Sequence, residues 1–451
     1  MASSEPNEPR VGQLEFMLRA FAYPNYRLFF CGQAVSLIGT WLGLVASQWV
    51  VLRLALAEHP ESAPLWLGIV GFAGQLPVFL LTPLAGVWID RLNRHRLLMV
   101  TQLLSMLQSL TLGLLILFDH ASIPYIIMLN AFQGMVNAFD IPARQSFVVE
   151  IVEDRQHLSN AIALNSSMVH MARLIGPVVA GVLIGVFGEA LCFLIDSASY
   201  LAVLIALGLM RIAVPPQGKP HPRVLHALVE GFRYAFGFPP VRTLLLMTAV
   251  LSLTAMSQSV LMPLFAKETF GGEAKTYGLL LGASGVGALI GSIYLASRRS
   301  VLGLGRVIWM ACGAMGLGFM GFAMAKSLWI ALPLLTISGG AMVVQMAACN
   351  TVLQTIVDED KRGRVMSLFT MSFMGMAPFG SLAAGSLAGV WGRSTTLMLA
   401  GSICLVASAA FCWYLPKVRA LVRPIYMQKG ILPEVAAGLQ STATQAGASG
   451  D

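Results

Sequence analysis

Charge is what this sequence has least of. Only 11% of its 451 residues are Asp, Glu, Lys or Arg, where soluble domains carry about 25%. Too little polar material is left to coat a water-soluble globule, and the mean hydropathy of +0.75 agrees. A soluble enzyme and a disordered chain fit poorly. So does a nucleic-acid binder, and no nucleic-acid partner is expected despite the net charge of +8. The six cysteines stand singly in apolar stretches, with no CxxC and no Cys/His ligand spacing. Small core residues are expected there, not a metal centre. The opening MASSEPNEPRVGQLEF lacks the apolar core of a signal peptide, so the first apolar helix should remain as a span. G-x-x-x-x-G-K-[ST], HExxH and GxSxG are all missing, which removes the commonest nucleotide, zinc and serine-nucleophile sites. No catalytic residue, cofactor or metal is expected, and the chain is not read as an enzyme.

What is present is a series of twelve apolar runs, at about 28–53, 65–89, 97–118, 123–141, 161–187, 190–212, 241–265, 276–297, 305–325, 328–352, 364–390 and 394–415. A membrane-spanning helix takes about 20 apolar residues, so these predict an all-α protein of twelve transmembrane helices. The fourth run is short for a full span, and the eleventh is rich in Gly and Pro. Lys and Arg set the orientation, because cytoplasmic segments collect them. With the N-terminus inside, 23 of the 29 basic residues fall on inner segments and five on outer ones, Arg173 lying within a helix. A multi-pass protein of the bacterial inner membrane is expected, with both termini cytoplasmic.

The longest internal connection, 213–240, opens with the Pro-rich, basic VPPQGKPHPR and continues with Leu225, Leu228, Phe232 and Phe236 at helical spacing. That predicts a cytoplasmic linker with an amphipathic helix on the membrane surface. It divides the chain into a cytoplasmic N-terminal segment (1–27), a six-helix bundle (28–212), the linker, a second six-helix bundle (241–416) and a partly disordered cytoplasmic tail (417–451). A weak repeat supports the division: Glu150 to Ala161 matches Thr355 to Met366 at an offset of 205 residues, each between the fourth and fifth helix of its half. Paired six-helix halves with a midplane site between them are a recurring transporter design.

The loop after helix 2 reads Gly86-Val-Trp-Ile-Asp90-Arg91-Leu-Asn-Arg94-His95-Arg96. It resembles the G-x-x-x-D-R-x-x-R-R/K signature of the major facilitator superfamily, departing from it at Asn93–His95. The resemblance implies that Gly86, Asp90, Arg91 and Arg94 latch the two halves in one state of a transport cycle. Ser297-Arg298-Arg299-Ser300, in the matching loop of the second half, has no acid, so the latch is expected on one side. Helix 5 carries Gly176, Pro177, Ala180 and Gly181, which resembles the Gly-Pro motif of superfamily exporters and implies export over uptake. The stretches from Asn137 through Asp140, Pro142, Arg144 and Gln145 to Glu150, from Asn160 to Ser166, and Asn350 to Gln354 with Gly363 to Ser367 resemble the enterobactin-exporter-like branch. That branch exports siderophores or diverse hydrophobic compounds. The implied fold has pseudo-two-fold symmetry between its two bundles.

Polar stripes mark where a cavity should lie. Gln33, Ser36, Thr40, Gly43 and Ser47 repeat at helical spacing on helix 1, and Asn130, Gln133, Asn137, Asp140 and Arg144 on helix 4. Thr248, Ser252, Gln258, Gln345 and Asn350 lie on helices 7 and 10, which with 1 and 4 line the central cavity in the superfamily. Polar packing between helices would give the same stripes. Ser166, His170, Arg173 and Pro177 share one face of helix 5. A lone mid-membrane arginine costs about 2.5–3.5 kcal/mol on insertion scales, so Arg173 should find an interior partner. Asp196 lies about 9 Å below the outer end and Arg173 about 21 Å, so their direct pairing needs a stretched side chain. Asp140 is expected to pair with Arg144 instead, forming an inner-end charge network with Glu150. The substrate and proton pathway candidates are Gln33, Ser36, Thr40, Asn130, Asn137, His170, Arg173, Asp196, Gln258, Gln345 and Asn350. The expected function is proton-coupled export of a small amphipathic compound, a siderophore-like metabolite or a drug, by a monomer in the lipid bilayer. An uptake carrier of the same fold and a non-transporting membrane sensor or scaffold are the alternatives.

Overall fold

The computed structural model describes residues 19–89, 92–152, 154–211, 232–298 and 300–431. Thirteen long helices account for most of them: α1 (Pro24–Glu58), α2 (Ala63–Ile89), α3 (Arg94–Leu117), α4 (Ile123–Ile151), α5 (Arg155–Phe187), α6 (Glu189–Leu209), α7 (Pro239–Leu264), α8 (Ala274–Ala296), α9 (Leu304–Met324), α10 (Leu328–Ile356), α11 (Glu359–Met374), α12 (Met376–Trp391) and α13 (Arg393–Gln428). A π-helical turn, Phe265–Thr269, ends α7. Among the described residues there is no strand. α11 and α12 are two parts of one apolar span, interrupted at Gly375, and eleven spans are long and apolar enough to cross a bilayer. The twelfth, α4, is 29 residues long and continues through Pro142. It is therefore not a short span, and its low hydropathy comes from its polar face. Large apolar side chains such as Trp329 (81% exposed) and Trp413 (83%) point away from the protein. A soluble protein would not display them so widely, whereas lipid is their natural solvent.

Several boundaries differ from expectation, among them the end of α4 at Ile151 and the start of α5 at Arg155. α1 begins at Pro24, where a proline in the first turn costs no hydrogen bond. α13 runs 36 residues, through Pro416 and Pro424. It is about 54 Å long at the helical rise, so its last turns extend well past a hydrocarbon core of about 30 Å. The residues after Leu415 are thus helical up to Gln428, and Lys429 Nζ donates to the Thr355 carbonyl at 2.8 Å. Of the predicted linker helix, Leu225 and Leu228 lie outside the described residues. Residues 232–237 are helical, with the Phe232 and Phe236 rings stacked at 6.0 Å. Cys31 and Cys412 are exposed, while the other four cysteines are buried.

The halves repeat one another in detail. In the first, α2 and α4 meet backbone to backbone at Gly74 and Gly134. In the second, α8 and α10 meet the same way at Gly287 and Gly340. Arg53 at the end of α1 pairs with Glu189 at the start of α6. Glu268, after α7, pairs with Arg393 at the start of α13, the charges exchanged. The halves then dock along two seams. α2 lies on α12, where a Cβ on Gly385 would come 2.5 Å from the Pro64 carbonyl oxygen and 2.7 Å from Gly68 Cα. α5 lies on α8, where a Cβ on Gly278 would come 2.4 Å from the Pro177 carbonyl oxygen. Trp49 stacks on Tyr277 at 6.1 Å beside the second seam. These close approaches lie toward the end of the molecule opposite residues 19 and 431. Toward the other end, Ile162 on α5 and Ile293 on α8 are exposed.

Candidate functional site: a chamber in the N-terminal bundle

Helices α1 to α4 and α6 line a partly open chamber of about 380 Å3, to whose wall the other half adds Met256, Phe373, Met374 and Ala377. Side chains three and four residues apart share one helical face. That spacing brings Thr40, Gly43 and Ser47 of α1 to the wall, facing Asn130, Gln133 and Asn137 of α4. α6 contributes Asp196, 6% exposed. Room for its carboxylate comes from two glycines: a Cβ on Gly43 would stand 2.7 Å from Oδ2, and one on Gly39 would stand 3.0 Å from Oδ1. Ser109 Oγ donates to Oδ2 at 2.7 Å, while Oδ1 is buried with no partner.

The amides of the wall are partly tied down. Asn130 Nδ2 donates to the Ile126 carbonyl at 2.8 Å and to Ser47 Oγ at 3.2 Å. Gln133 Nε2 donates to Ser105 Oγ at 3.0 Å and to Asn137 Oδ1 at 3.1 Å. Gln75 Nε2 reaches across the two halves to Met256 Sδ at 3.3 Å. The oxygens Gln48 Oε1 and Gln133 Oε1 are buried without donors.

The same two stripes serve a second purpose nearer the termini. Asp140, 1% exposed, accepts from Thr101 Oγ1 and Gln102 Nε2, both at 2.8 Å. It also accepts from Arg144, four residues on. Arg144 Nη1 donates to Gln33 Oε1 at 2.9 Å, and Ser36 is buried beside them in α1. Glu150 stands apart from this group and pairs with Arg94. The single inner-end network expected from the sequence is therefore two clusters, because α4 carries Glu150 beyond the reach of Asp140.

The α5 motif packs as small residues permit. Gly176 sits against Trp41, Gly181 against Ala274 and Gly278, and Ala180 is fully buried. Arg173 and His170 face α8 and α10, not the chamber. Arg173 Nη2 lies 3.9 Å from Met342 Sδ, and His170 Nε2 lies 3.3 Å from Ser292 Oγ. Among the described residues Arg173 meets no acid there, and the possible pair with Asp196 is not formed. Gln258 is buried in the second bundle. Gln345, fully buried, donates to the Met247 carbonyl at 3.2 Å, and Asn350 Oδ1 accepts from Gln354 at 3.0 Å. None of these three lines the chamber. Of the latch residues, Gly86 is exposed with open space around it, Arg94 is the partner of Glu150, and Asp90 and Arg91 lie outside the described residues. Sequence reasoning missed Gln48, Gln75, Gln108 and Tyr200 on the wall. The isolated glutamines within apolar helices were the available signal. Among the described residues no group of three or more His, Cys, Asp or Glu is placed to hold a metal.

The paired apolar helix bundles have the fold of the major facilitator transporters. Solved structures agree on the fold. A bacterial homologue of the human lysosomal transporter Spinster, inward-facing, superposes with a TM-score of 0.65 at 16% identity, covering 89% of this chain and 98% of that one. The POT family transporter PepTSo gives 0.69 at 13% identity, covering 88% and 99%. Within that class the chain belongs to the transmembrane secretion effector family, which matches residues 17–432. It is similar to the staphyloferrin A transporter of Staphylococcus aureus, 25% identical over 84% of this chain and 94% of that one. It is similar also to the multidrug efflux pump Tap of Mycolicibacterium fortuitum, 26% identical over 85% and 93%. The enterobactin exporter EntS of Escherichia coli is 24% identical over 81% and 85%.

Proposed function

We propose that this protein is a proton-coupled exporter of a small amphipathic compound, a siderophore-like metabolite or a drug. It works by alternating access in a bacterial inner membrane, as a monomer with both termini in the cytoplasm. The observation that carries the reading is the chamber itself: a single buried carboxylate, Asp196, with one free oxygen, in a wall otherwise made of amides, hydroxyls and apolar groups. A carboxylate that exchanges a proton for substrate supplies antiport without ATP. The basic-residue asymmetry puts the residue 19 and 431 side in the cytoplasm, so the closed seams are external and the conformation faces inward. Substrate enters from the cytoplasm, the halves rock, and release outside is followed by proton uptake at Asp196 and return. Relatives named for siderophores and multidrug efflux support the direction, as does the Gly-Pro motif on α5.

The remaining site residues take supporting parts. Gly86, Asp90, Arg91 and Arg94 latch the opposite state, Arg94 being paired with Glu150 in this one. Asp140, Arg144 and Gln33 brace α1, α3 and α4 beneath the chamber. Arg173 and His170 lie in a seam that must part during the cycle, which keeps them on the substrate and proton pathway of the outward-facing state. Export into everted membrane vesicles tests the proposal. Accumulation should collapse on adding a protonophore, and transport that persists without a proton gradient refutes the coupling.

A further inference from the structure

Arg173 is a cation without a counter-ion. The helices that meet around it, α5, α8 and α10, contain no Asp or Glu at all. Its Nη2 reaches only the Met342 thioether, at 3.9 Å, which offsets no charge. Among the described residues Nε and Nη1 have no partner, and neither is fully enclosed. The guanidinium therefore borders open space. It stands where the closed seam gives way. Beside it α8 still touches α5, since a Cβ on Gly285 would come 3.0 Å from the Arg173 carbonyl oxygen. One turn toward the terminal end, His170 Nε2 lies 3.3 Å from Ser292 Oγ. Farther that way the helices part: Ser166 and Ile162 of α5 are exposed, as is Ile293 of α8. Ile162, Ser166, Val169, His170 and Arg173 share one helical face. That face is a path to a lone positive charge, with no acid along it.

We infer that Arg173 anchors the acidic group of an amphipathic organic carboxylate, whose apolar body lies along Ile162 and Val169 of α5 and Met342 of α10. A charge within the membrane is tolerated where it is paired or faces a polar space, and a ligand carboxylate supplies the missing pair. The planar fork of the guanidinium matches a carboxylate through two parallel hydrogen bonds. Met342 offers a flexible, polarizable surface beside it. A neutral ligand gains none of the charge term, and a cation is repelled. The inference rests on the transport reading and names its substrate class. In the proposed cycle the contacts outside Arg173 part, so the same guanidinium faces the cytoplasm in one state and the exterior in the other. The anion then stays on α5 while the path around it changes sides.

The test is binding without a gradient. The full-length protein in lipid nanodiscs is titrated calorimetrically with naphthylacetate, its neutral amide naphthylacetamide, and naphthylethylammonium. The three share an apolar body and differ in charge. The carboxylate should bind about tenfold or more tightly than the amide, and the ammonium most weakly. Arg173→Gln should abolish that preference while leaving the amide affinity unchanged. Met342→Glu keeps the arginine and gives it an internal counter-ion, so it should abolish the preference too, and it serves if Arg173→Gln is not recovered folded. Equal or absent binding of the three, strongest binding of the ammonium, or a carboxylate preference that survives in either variant overturns the inference. Because no gradient is present, a failed carboxylate preference leaves proton-coupled export standing, and protonophore-resistant export leaves the anion site standing.

Discussion

Substituting Gly278 by valine should drive the transporter toward its outward-open state. A Cβ at this position would stand 2.4 Å from the Pro177 carbonyl oxygen, 3.1 Å from Gly181 Cα and 3.2 Å from Gly181 N. These are backbone atoms, so no side chain can rotate out of the way. Relief requires α5 and α8 to part by about 1 Å, a strain that close-packed interfaces resist. Overpacking of this kind costs about 1–3 kcal/mol, and two further methyl groups place valine near the upper end. In the proposed cycle the contact exists only while this seam is closed, so the cost falls on the state seen here alone. A bias of that size shifts a two-state ratio about 5–150-fold. Spin labels at Glu61→Cys and Lys326→Cys would report it by pulsed electron resonance, with exposed Cys31 and Cys412 replaced by serine. The distance distribution should gain a longer component in Gly278→Val and a smaller one in Gly278→Ala. Gly185→Val is the control, because open space surrounds a Cβ there. An unchanged distribution in folded Gly278→Val, or an equal shift in the control, would refute the seam argument.

Two further outcomes follow from the charge clusters. Asp140→Asn removes the acidic partner of half-buried Arg144 from a buried hydrogen-bonded cluster and should destabilise the protein by about 1–3 kcal/mol, read as a lower unfolding temperature in detergent. Adding Arg144→Met should recover part of the loss, because the uncompensated charge is then gone. Glu268→Gln, by contrast, breaks a half-exposed pair with Arg393 and should cost no more than about 1 kcal/mol. A loss as large as that of Asp140→Asn would show that the Glu268–Arg393 pair carries more than surface electrostatics.

The fold was readable because its signals were redundant. Run lengths, the distribution of Lys and Arg and the 205-residue repeat all favour paired bundles, and the structure adds matching glycine contacts at Gly74–Gly134 and Gly287–Gly340. The site was readable only in part. A polar stripe on a helix that is otherwise apolar reports that one face avoids lipid, and both a bundle interior and a substrate chamber satisfy that condition. Thr40 and Asn137 face the chamber, whereas Gln33 and Asp140, one or two turns along the same stripes, are consumed in a brace. The repeat could have separated the two cases for one residue. Gln345 stands 205 positions after Asp140, and each is buried inside its own bundle. Position 401, equivalent to Asp196, is a glycine, packed against Gly316 and Met320. The second half therefore has no acid at this position, and the residues it adds to the chamber wall are apolar. With the polar groups of the chamber in one bundle and an apolar face from the other, few polar contacts among the described residues must break as the halves rock: Gln75 with Met256, His170 with Ser292 and Arg173 with Met342. A transporter built this way can keep its substrate bonded to one bundle throughout the movement, and the specificity test belongs on the N-terminal bundle.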